Sequence, residues 1–342
     1  MNARAILKSA VPLIAHYSGI GKALAVRYRG SGVIFVLHSI IGNSVAYLED
    51  LRCPIDVLEH TLSWLKRGGF AFVSLDQALA RLADPGDERF CAFTFDDGYA
   101  DNLTHALPLM ERFAAPFTVY VSSGMITGEI DAWWLGLAAL IRTHDAIDIP
   151  ELDLRLDCAD HAGKRRAYLA VEARIHANYS ALGPVKAAIA AAGIDCGALA
   201  RREALSAAQL RQLAASPLVT IGTHTARHIN LARAPAHEVE REMITGRRAL
   251  ENILGREVVH FAYPFGNARA CGPREAQIAR DVGFRTAVTL RRGTLFPEHR
   301  DRLYALPREP LTGDDNPATL QSKVAGVNRA LQSLFGDPVA RM

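Results

Sequence analysis

Short apolar runs alternate with helical patterns along most of the chain, and the runs have the length of strands. They are continuous in apolar residues, which is typical of parallel strands buried on both faces. Seven strands are predicted: Val33–Leu37, Phe70–Val73, Cys91–Phe95, Phe117–Val121, Leu218–Ile221, Val258–Tyr263 and Phe284–Val288. Helices are predicted between and after them: Pro54–Lys66, Ser74 to about Leu82, around Asn102–Phe113, Ala236–Leu254, Pro273–Val282 and about Pro317–Phe335.

The strand–helix rhythm stops after Gly124 and resumes at Leu218. Residues from about 128 to 216 carry helical patterns and polar loops, and Leu152–Leu156 is their one candidate strand. Helices are expected to begin at Trp133 and at Ser206, and to cover Lys164–Tyr179. We interpret this stretch as a helical insertion into a single catalytic domain.

Repeated strand–helix units predict an α/β fold in which helices surround a parallel sheet. Seven strands favour a distorted (β/α) barrel, closed or nearly closed, over an open doubly wound sheet. The first strand is not followed by G-x-G-x-x-G, which weakens a dinucleotide-binding alternative. The predicted organisation is an N-terminal helical arm over 1–30, the barrel over 31–320 with the insertion at 128–216, and a C-terminal helix and tail over 321–342.

Composition adds few constraints. The chain has 342 residues and a net charge of +3, with basic residues interleaved with acids, so we predict no nucleic-acid partner. Five scattered cysteines without a C-x-x-C argue against disulfides and a thiolate metal site. The apolar run Ala10–Ala15, interrupted by Pro12, is shorter than a signal-peptide core or a membrane span. We therefore expect a cytoplasmic protein and leave open a weak contact of the arm with a membrane surface.

Reactive side chains follow the predicted strands directly. The strand Cys91–Phe95 is followed by Asp96 and Asp97, and the strand Leu218–Ile221 by His224 and His228. In parallel barrels the carboxyl ends of the strands meet at one face, where catalysis takes place. We expect these side chains to converge there.

The two aspartates and the two histidines each allow two interpretations. Asp96-Asp97-Gly98 is by itself typical of a turn, but Gly98 also lets the chain bend so that both carboxyls reach one site. His224 and His228 are spaced i, i+4, which on a helical turn puts both imidazoles on one face; the same spacing occurs on solvated faces. A carboxylate with two imidazoles leaves coordination positions open, as in catalytic metal sites. Zinc is the first choice by ligand type, and nickel and cobalt stay open.

These motifs give the chain a resemblance to the polysaccharide deacetylases of carbohydrate esterase family 4. The first family motif stands as Thr94-Phe95-Asp96-Asp97-Gly98-Tyr99, the second as His224-Thr225-Ala226-Arg227-His228, and the third, altered, as Ala262-Tyr263-Pro264-Phe265-Gly266. The resemblance covers roughly residues 31–310 and implies the family's distorted barrel.

The resemblance also implies roles. Asp96 would be the general base, Asp97, His224 and His228 would hold the metal, and the backbone N–H of Phe265 would bind the oxyanion. We further predict substrate contacts from Tyr99, Trp133 and Pro264, with Trp133 either a sugar-stacking platform or part of the core under the insertion.

Two positions depart from the family pattern. Ala262 stands where the family has an arginine that orients the base, and Leu306-Pro307-Arg308-Glu309 lacks the usual late histidine. The chain resembles a family branch with a histidine after the first strand, so His38 is our candidate for the general acid. The alternative for His38 is a structural histidine bonded to backbone. We also hypothesise that Arg308 replaces the missing arginine as an ion-pair partner of Asp96.

The expected function is removal of N-acetyl groups from an amino-sugar glycan or a lipid- or nucleotide-linked precursor. The alternatives are deformylation or O-acetyl ester hydrolysis on a glycan, and a non-catalytic glycan-binding protein with the same fold. The expected partner is an N-acylated sugar, and the sequence does not predict an oligomeric state.

Overall fold

The computed structural model describes residues 19–42 and 51–342. Twelve strands lie in this described part of the chain: β1 (Gly32–Leu37), β2 (Ser39–Ile41), β3 (Arg52–Pro54), β4 (Ala71–Phe72), β5 (Phe90–Phe95), β6 (Phe117–Val121), β7 (Ala146–Ile149), β8 (Leu154–Asp157), β9 (Val219–Thr223), β10 (His260–Ala262), β11 (Thr286–Val288) and β12 (Glu309–Pro310). All seven predicted strands are present, with ends that differ by a few residues. The central strands β1, β5 and β6 are fully buried, which explains their continuous apolar sequences.

Eight of these strands form one parallel sheet in the order β11-β10-β9-β6-β5-β1-β12, with β4 paired to β5 outside this path. The segment Leu306–Pro310 joins the two edges of the sheet. Leu306 bridges to Val288 of β11, and Glu309 pairs with Phe35 of β1. The predicted distorted barrel is confirmed. β12 was missed by the sequence analysis because it is two residues long and contains a glutamate and a proline.

Helices surround the sheet. The α-helices are α1 (Ile20–Tyr28), α2 (Ile55–Arg67), α3 (Leu75–Ala83), α4 (Leu107–Arg112), α5 (Ser123–Thr127), α6 (Trp133–Thr143), α7 (His161–Ala177), α8 (Leu182–Ala191), α9 (Cys196–Glu203), α10 (Ala207–Ala214), α11 (Ala236–Leu254), α12 (Pro273–Asp281), α13 (Pro317–Val324) and α14 (Val327–Gln332). A π-helical turn, Asn102–Ala106, precedes α4. Ser206 caps α10 with a capping box, as expected for a helix that begins there.

The single helix predicted over Pro317–Phe335 is wrong, because the chain breaks into α13 and α14 at Gly326. This glycine has a positive φ of 71°, and a Cβ at its position would collide with the carbonyl oxygen of Tyr28. The close approach of α1 therefore requires glycine at the break.

The insertion contains α6 to α10 and the antiparallel hairpin β7–β8. Its buried residues form an apolar cluster that includes Trp133, Trp134 and Tyr168. The candidate strand Leu152–Leu156 is found slightly later, as β8. Its partner β7 was missed because its residues alternate between exposed and buried, which leaves only two apolar positions facing the core.

The predicted arm over 1–30 is described only from residue 19 onwards, and residues 1–18 lie outside the described part. In the described part of the arm, α1 packs against α14, with Leu24 and Ala25 contacting Val327 and Ala325. Among the described residues, no single helix has the length and apolarity of a membrane span; only the bent pair Tyr179–Ala191 and Cys196–Glu203 together does. The domain boundaries stay a prediction.

Candidate active site

Asp97 lies in a tight turn after β5. It has a positive φ of 72° and Gly98 one of 88°, and a Cβ at Gly98 would lie 2.8 Å from a methyl group of Val121. The turn brings both carboxyls to the same histidine: His224 Nε2 lies 3.9 Å from Asp96 Oδ2 and 3.7 Å from Asp97 Oδ1. Of the two interpretations of Asp96-Asp97-Gly98, the structure therefore agrees with the one in which both carboxylates reach one site.

His224 and His228 also converge, but the helical turn expected from their spacing is wrong. The chain between them forms a bend in which Thr225 and His228 have positive φ values of 67° and 56°. The Thr225 hydroxyl accepts a hydrogen bond from the His228 N–H at 3.0 Å and closes the bend. The two rings lie 4.9 Å apart between centroids. Two left-handed residues therefore achieve the convergence that a helix would have provided.

The three predicted metal ligands have the spacing of a metal site. Asp97 Oδ1 lies 3.7 Å from His224 Nε2 and 3.5 Å from His228 Nε2. Ligands of a tetrahedral zinc ion, bound at about 2.0–2.1 Å, stand roughly 3.3 Å apart. The Asp97 Oδ1 atom is buried and has no hydrogen-bond partner among the described residues. A divalent cation between these atoms would satisfy it, so the residues fit a metal.

The orientation of His224 suits this role. Its Nδ1 lies 2.7 Å from the carbonyl oxygen of Ala262, so the Nδ1–H tautomer donates there and leaves the lone pair of Nε2 facing Asp97. Ala262 thus contributes through its backbone, although it lacks the side chain that the family pattern has at this position.

Burial sets the protonation of the ligands in the absence of an ion. It raises the pKa of Asp97 well above its usual value, and the charge of Asp96 raises it further. Burial lowers the pKa of His228 well below its usual value, with His224 and His38 acting in the same direction. The imidazole is thus neutral and free to ligate, while the Asp97 carboxylate is unfavourable until a cation compensates it.

Asp96 has a different partner. Arg308, fully buried, donates from Nη1 and Nη2 to the two carboxylate oxygens of Asp96 at 2.7 Å each. It also donates to the hydroxyl of Thr94 and the carbonyl of Thr289, both at 3.0 Å. Burial would raise the pKa of Asp96, but Arg308 and the nearby His224 bring it to about 2. The structure thus places Arg308 where the hypothesis of a substitute arginine requires it.

His38 follows β1 and is brought to the same face. Its backbone carbonyl accepts a hydrogen bond from the side-chain amide of Asn102 at 2.8 Å, which fixes the strand end. Burial lowers the pKa of the His38 ring to about 4, with Asp96 opposing this shift and Arg308 adding to it. At neutral pH the ring is therefore uncharged.

Phe265 and Pro264 follow β10. Phe265 has a positive φ of 61°, and among the described residues its N–H has no hydrogen-bond acceptor. A Cβ at the adjoining Gly266 would lie 2.5 Å from the backbone nitrogen of Leu290. The Phe265 ring contacts His228, with centroids 4.9 Å apart. Pro264 is buried beside it. The strained turn leaves this N–H available to a ligand, as the predicted oxyanion role requires.

Tyr99 and Trp133 do not form an open sugar platform. Both are buried, at 2% and 4% exposure, in the core of the insertion. The hydroxyl of Tyr99 accepts a hydrogen bond from Trp134 Nε1 at 2.9 Å. The centroid of the Trp134 ring lies 4.8 Å from that of the His228 ring. Trp134 is thus the tryptophan that touches the site. The sequence could not distinguish the two neighbours, since the direction of the helix decides which one faces His228.

Comparisons with known proteins agree with this geometry. Residues 83–287, more than half of the chain, match the sequence profile of the polysaccharide deacetylase family. No curated protein sequence matches the chain significantly. The fold is similar to solved structures that include the Streptococcus pyogenes deacetylase PplD in complex with acetate (18% identity, TM-score 0.56, 85% of this chain and 97% of that one). Another is IcaB from Ammonifex degensii, with 18% identity, a TM-score of 0.55 and coverage of 87% of this chain and 97% of that one. A third is a de-N-acetylase from Aggregatibacter actinomycetemcomitans, with 13% identity, a TM-score of 0.55 and coverage of 85% of this chain and 98% of that one.

Proposed function

The chain belongs to the polysaccharide deacetylase family, and on this premise we propose that it removes N-acetyl groups from an amino-sugar glycan with the help of a divalent metal ion, zinc by ligand type. The observation that carries the proposal is the group of Asp97, His224 and His228, buried or nearly so, whose ligand atoms all lie within 4.8 Å of one another. This group stands beside Asp96, which Arg308 keeps ionised.

When bound, a metal ion would supply a Lewis acid for the acetamide carbonyl and lower the pKa of a coordinated water. Asp96 then accepts a proton from the attacking water, and Arg308 holds its carboxylate in place. The N–H of Phe265 donates a hydrogen bond to the developing oxyanion.

The leaving amine needs a proton, and His38 is the proposed donor. Because the pKa of His38 is about 4, its ring does not carry this proton beforehand at neutral pH. We therefore propose that the proton which Asp96 accepts from the attacking water passes to His38, and from His38 to the amine nitrogen. The departing group is a free amine, and acetate is the second product.

Acetate release from N-acetylglucosamine oligomers tests the proposal. We expect release that stops after treatment with a chelator and returns with Zn²⁺. His224→Ala should lose both the bound metal and the activity, while the exposed His60→Ala should keep both. Acetate from O-acetyl esters alone, or formate from formamido sugars alone, would replace the proposal by the corresponding alternative. No acid from any acylated sugar would favour a glycan-binding protein.

The cytoplasmic location and a contact of the N-terminal arm with a membrane stay predictions. A cytoplasmic enzyme would meet small lipid-linked or nucleotide-linked sugars before a finished polymer. Fractionation of the untagged protein tests the location, and recovery in the periplasm would contradict it.

A further inference from the structure

A second cavity adjoins the metal site on the far side of Phe265. It is small and partly open, with a volume of about 40 Å³, and lies between the end of α7, the loop after β9 and the loop after β10. The Phe265 ring separates the two spaces, with its centroid 4.9 Å from that of His228 and 5.8 Å from that of Tyr179. The cavity is therefore one side chain away from the proposed metal ligand His228.

Two arginines, both exposed, line the cavity without a carboxylate partner. Neither Arg233 nor Arg269 has an acidic side chain within 4.0 Å in the described part of the chain. The guanidinium of Arg233 lies 5.4 Å from the centre of the Tyr179 ring. Asp131 is the acidic residue that acts electrostatically on Tyr179. It is already paired with Lys186, at 2.6 Å. The cavity thus presents positive charge that the protein does not neutralise.

Arg269 is held in place by backbone. Its Nη1 donates to the carbonyl oxygens of His176 and Ala177, at 3.0 Å and 2.6 Å. These carbonyls belong to the last turn of α7, where the helix dipole favours a cation. Because only Nη1 is used in this way, the remaining N–H groups of the guanidinium can donate hydrogen bonds to a ligand.

Asn230 adds an unused acceptor. Its side chain is only 8% exposed, it lines the cavity, and its Oδ1 has no hydrogen-bond partner among the described residues. Buried amide oxygens are nearly always hydrogen-bonded, so a donor is expected here. A sugar hydroxyl or an amide N–H is such a donor.

We propose that the surface around this cavity is a subsite for an anionic sugar, one bearing a carboxylate or a phosphate, linked to the N-acetylated sugar whose amide is cleaved. Guanidinium groups bind such oxyanions through paired hydrogen bonds, and Arg233 and Arg269 supply two such groups around the cavity. Asn230 accepts from a hydroxyl of the same sugar. The subsite rests on the proposed deacetylation and assigns its substrate to acidic amino-sugar glycans.

Three disaccharides separate the sources of the anion. N-acetylglucosamine linked to glucuronate, to glucose 6-phosphate or to glucose is supplied to the metal-loaded enzyme, and kcat/KM is measured for each. We expect at least one anionic substrate to exceed the neutral one about tenfold, through KM and in a salt-sensitive manner. The better of the two identifies the group as carboxylate or phosphate.

Arg233→Gln should lower kcat/KM for the preferred anionic disaccharide by about tenfold, which abolishes the preference. It should leave kcat/KM for the neutral disaccharide within about twofold of the wild-type value. Arg248→Gln is the matched control, because it removes an exposed arginine from α11, away from the cavity, and should keep the preference. An equal preference in wild type and Arg233→Gln, or a wild-type preference for the neutral disaccharide, would overturn the subsite.

Binding to the metal-stripped wild-type protein separates the subsite from the reaction. Calorimetry should show tighter binding of the preferred anionic disaccharide than of the neutral one, and Arg233→Gln should remove the difference. If this holds while no disaccharide releases acetate, the proposed function fails and the cavity stands as an anion-binding site. If acetate is released without any anion preference in binding or turnover, only the subsite fails.

Discussion

At the scale of single residues, Arg308 decides the charge of the site. It is among the largest fully buried side chains of the described residues, and its hydrogen bonds go to Asp96, Thr94 and Thr289. The family pattern supplies this guanidinium from the position of Ala262, whereas here it comes from the segment before β12. The sequence could suggest the exchange only because an arginine follows Leu306 where a histidine was expected. The contact itself depends on how the barrel closes.

Arg308→Met should leave Asp96 as an uncompensated buried charge. Removing one partner of a buried ion pair costs about 3–5 kcal/mol, so we expect a loss of this size in the free energy of unfolding at pH 7. Urea denaturation measures it. The double variant Asp96→Asn/Arg308→Met should recover part of the loss, since no buried charge is left. A double variant as unstable as the sum of the single variants would contradict the coupling.

His38→Ala should lower kcat by roughly 10²–10⁴-fold, the usual contribution of a positioned acid or base. The metal content should not change, because the structure places His38 outside the ligand group of Asp97, His224 and His228. Turnover and metal analysis of the same preparation give both quantities. Wild-type kcat in a metal-loaded variant would remove His38 from the mechanism.

At the scale of elements, strands were predicted well and connections poorly. β5 and β6 are buried along their whole length, so their apolar sequences identify them directly. The bend that carries His228 was not predictable from spacing, because left-handed conformations at Thr225 and His228 leave no signal in residues other than glycine or asparagine. The sequence thus indicated which residues meet at the strand ends, and the loops determine how they meet.

His260 links three elements and should make the protein sensitive to acid. From β10, its Nδ1 lies 2.8 Å from the hydroxyl of Thr286 on β11, and its Nε2 lies 3.5 Å from Asp76 on α3. Burial lowers the pKa of His260 to about 4, and Asp76 opposes this only in part. The neutral ring is favoured in the fold, so its stabilisation is complete above about pH 6.5 and is lost as the pH falls towards 4.

Denaturant unfolding at pH 7 and pH 4.5 measures this loss, for which the shift of His260 sets an upper bound of about 3 kcal/mol. His260→Gln cannot be protonated and should lose less stability between the two pH values than wild type. His60→Gln, which changes an exposed histidine on α2, should behave as wild type. Equal acid sensitivity in all three proteins would contradict the assignment.

At the scale of the whole molecule, the proposed metal joins parts of the barrel that are distant in sequence. Asp97 follows β5, and His224 and His228 follow β9, with β6 between these strands in the sheet. An ion bound only by the folded barrel stabilises it by mass action, by about 4 kcal/mol when its concentration is a thousand times Kd.

Zinc should therefore raise Tm by several degrees, and a chelator should reverse the change. Asp97→Asn should lack the response. It should also be more stable than the metal-free wild type at pH 7, because burial raises the pKa of Asp97 and so penalises its charged form. Differential scanning calorimetry with and without Zn²⁺ tests both expectations, and an unchanged zinc response in Asp97→Asn would exclude it as a ligand.

The segment Leu306–Pro310 closes the barrel and also carries Arg308 to Asp96. During synthesis on the ribosome, the residues up to His228 emerge well before Arg308 does. A nascent chain at that stage has every proposed metal ligand but cannot yet bury Asp96 beside its counter-charge. The residue that supplies the counter-charge of Asp96 thus lies directly before the last β-strand to be translated, and activity should arise only late in translation.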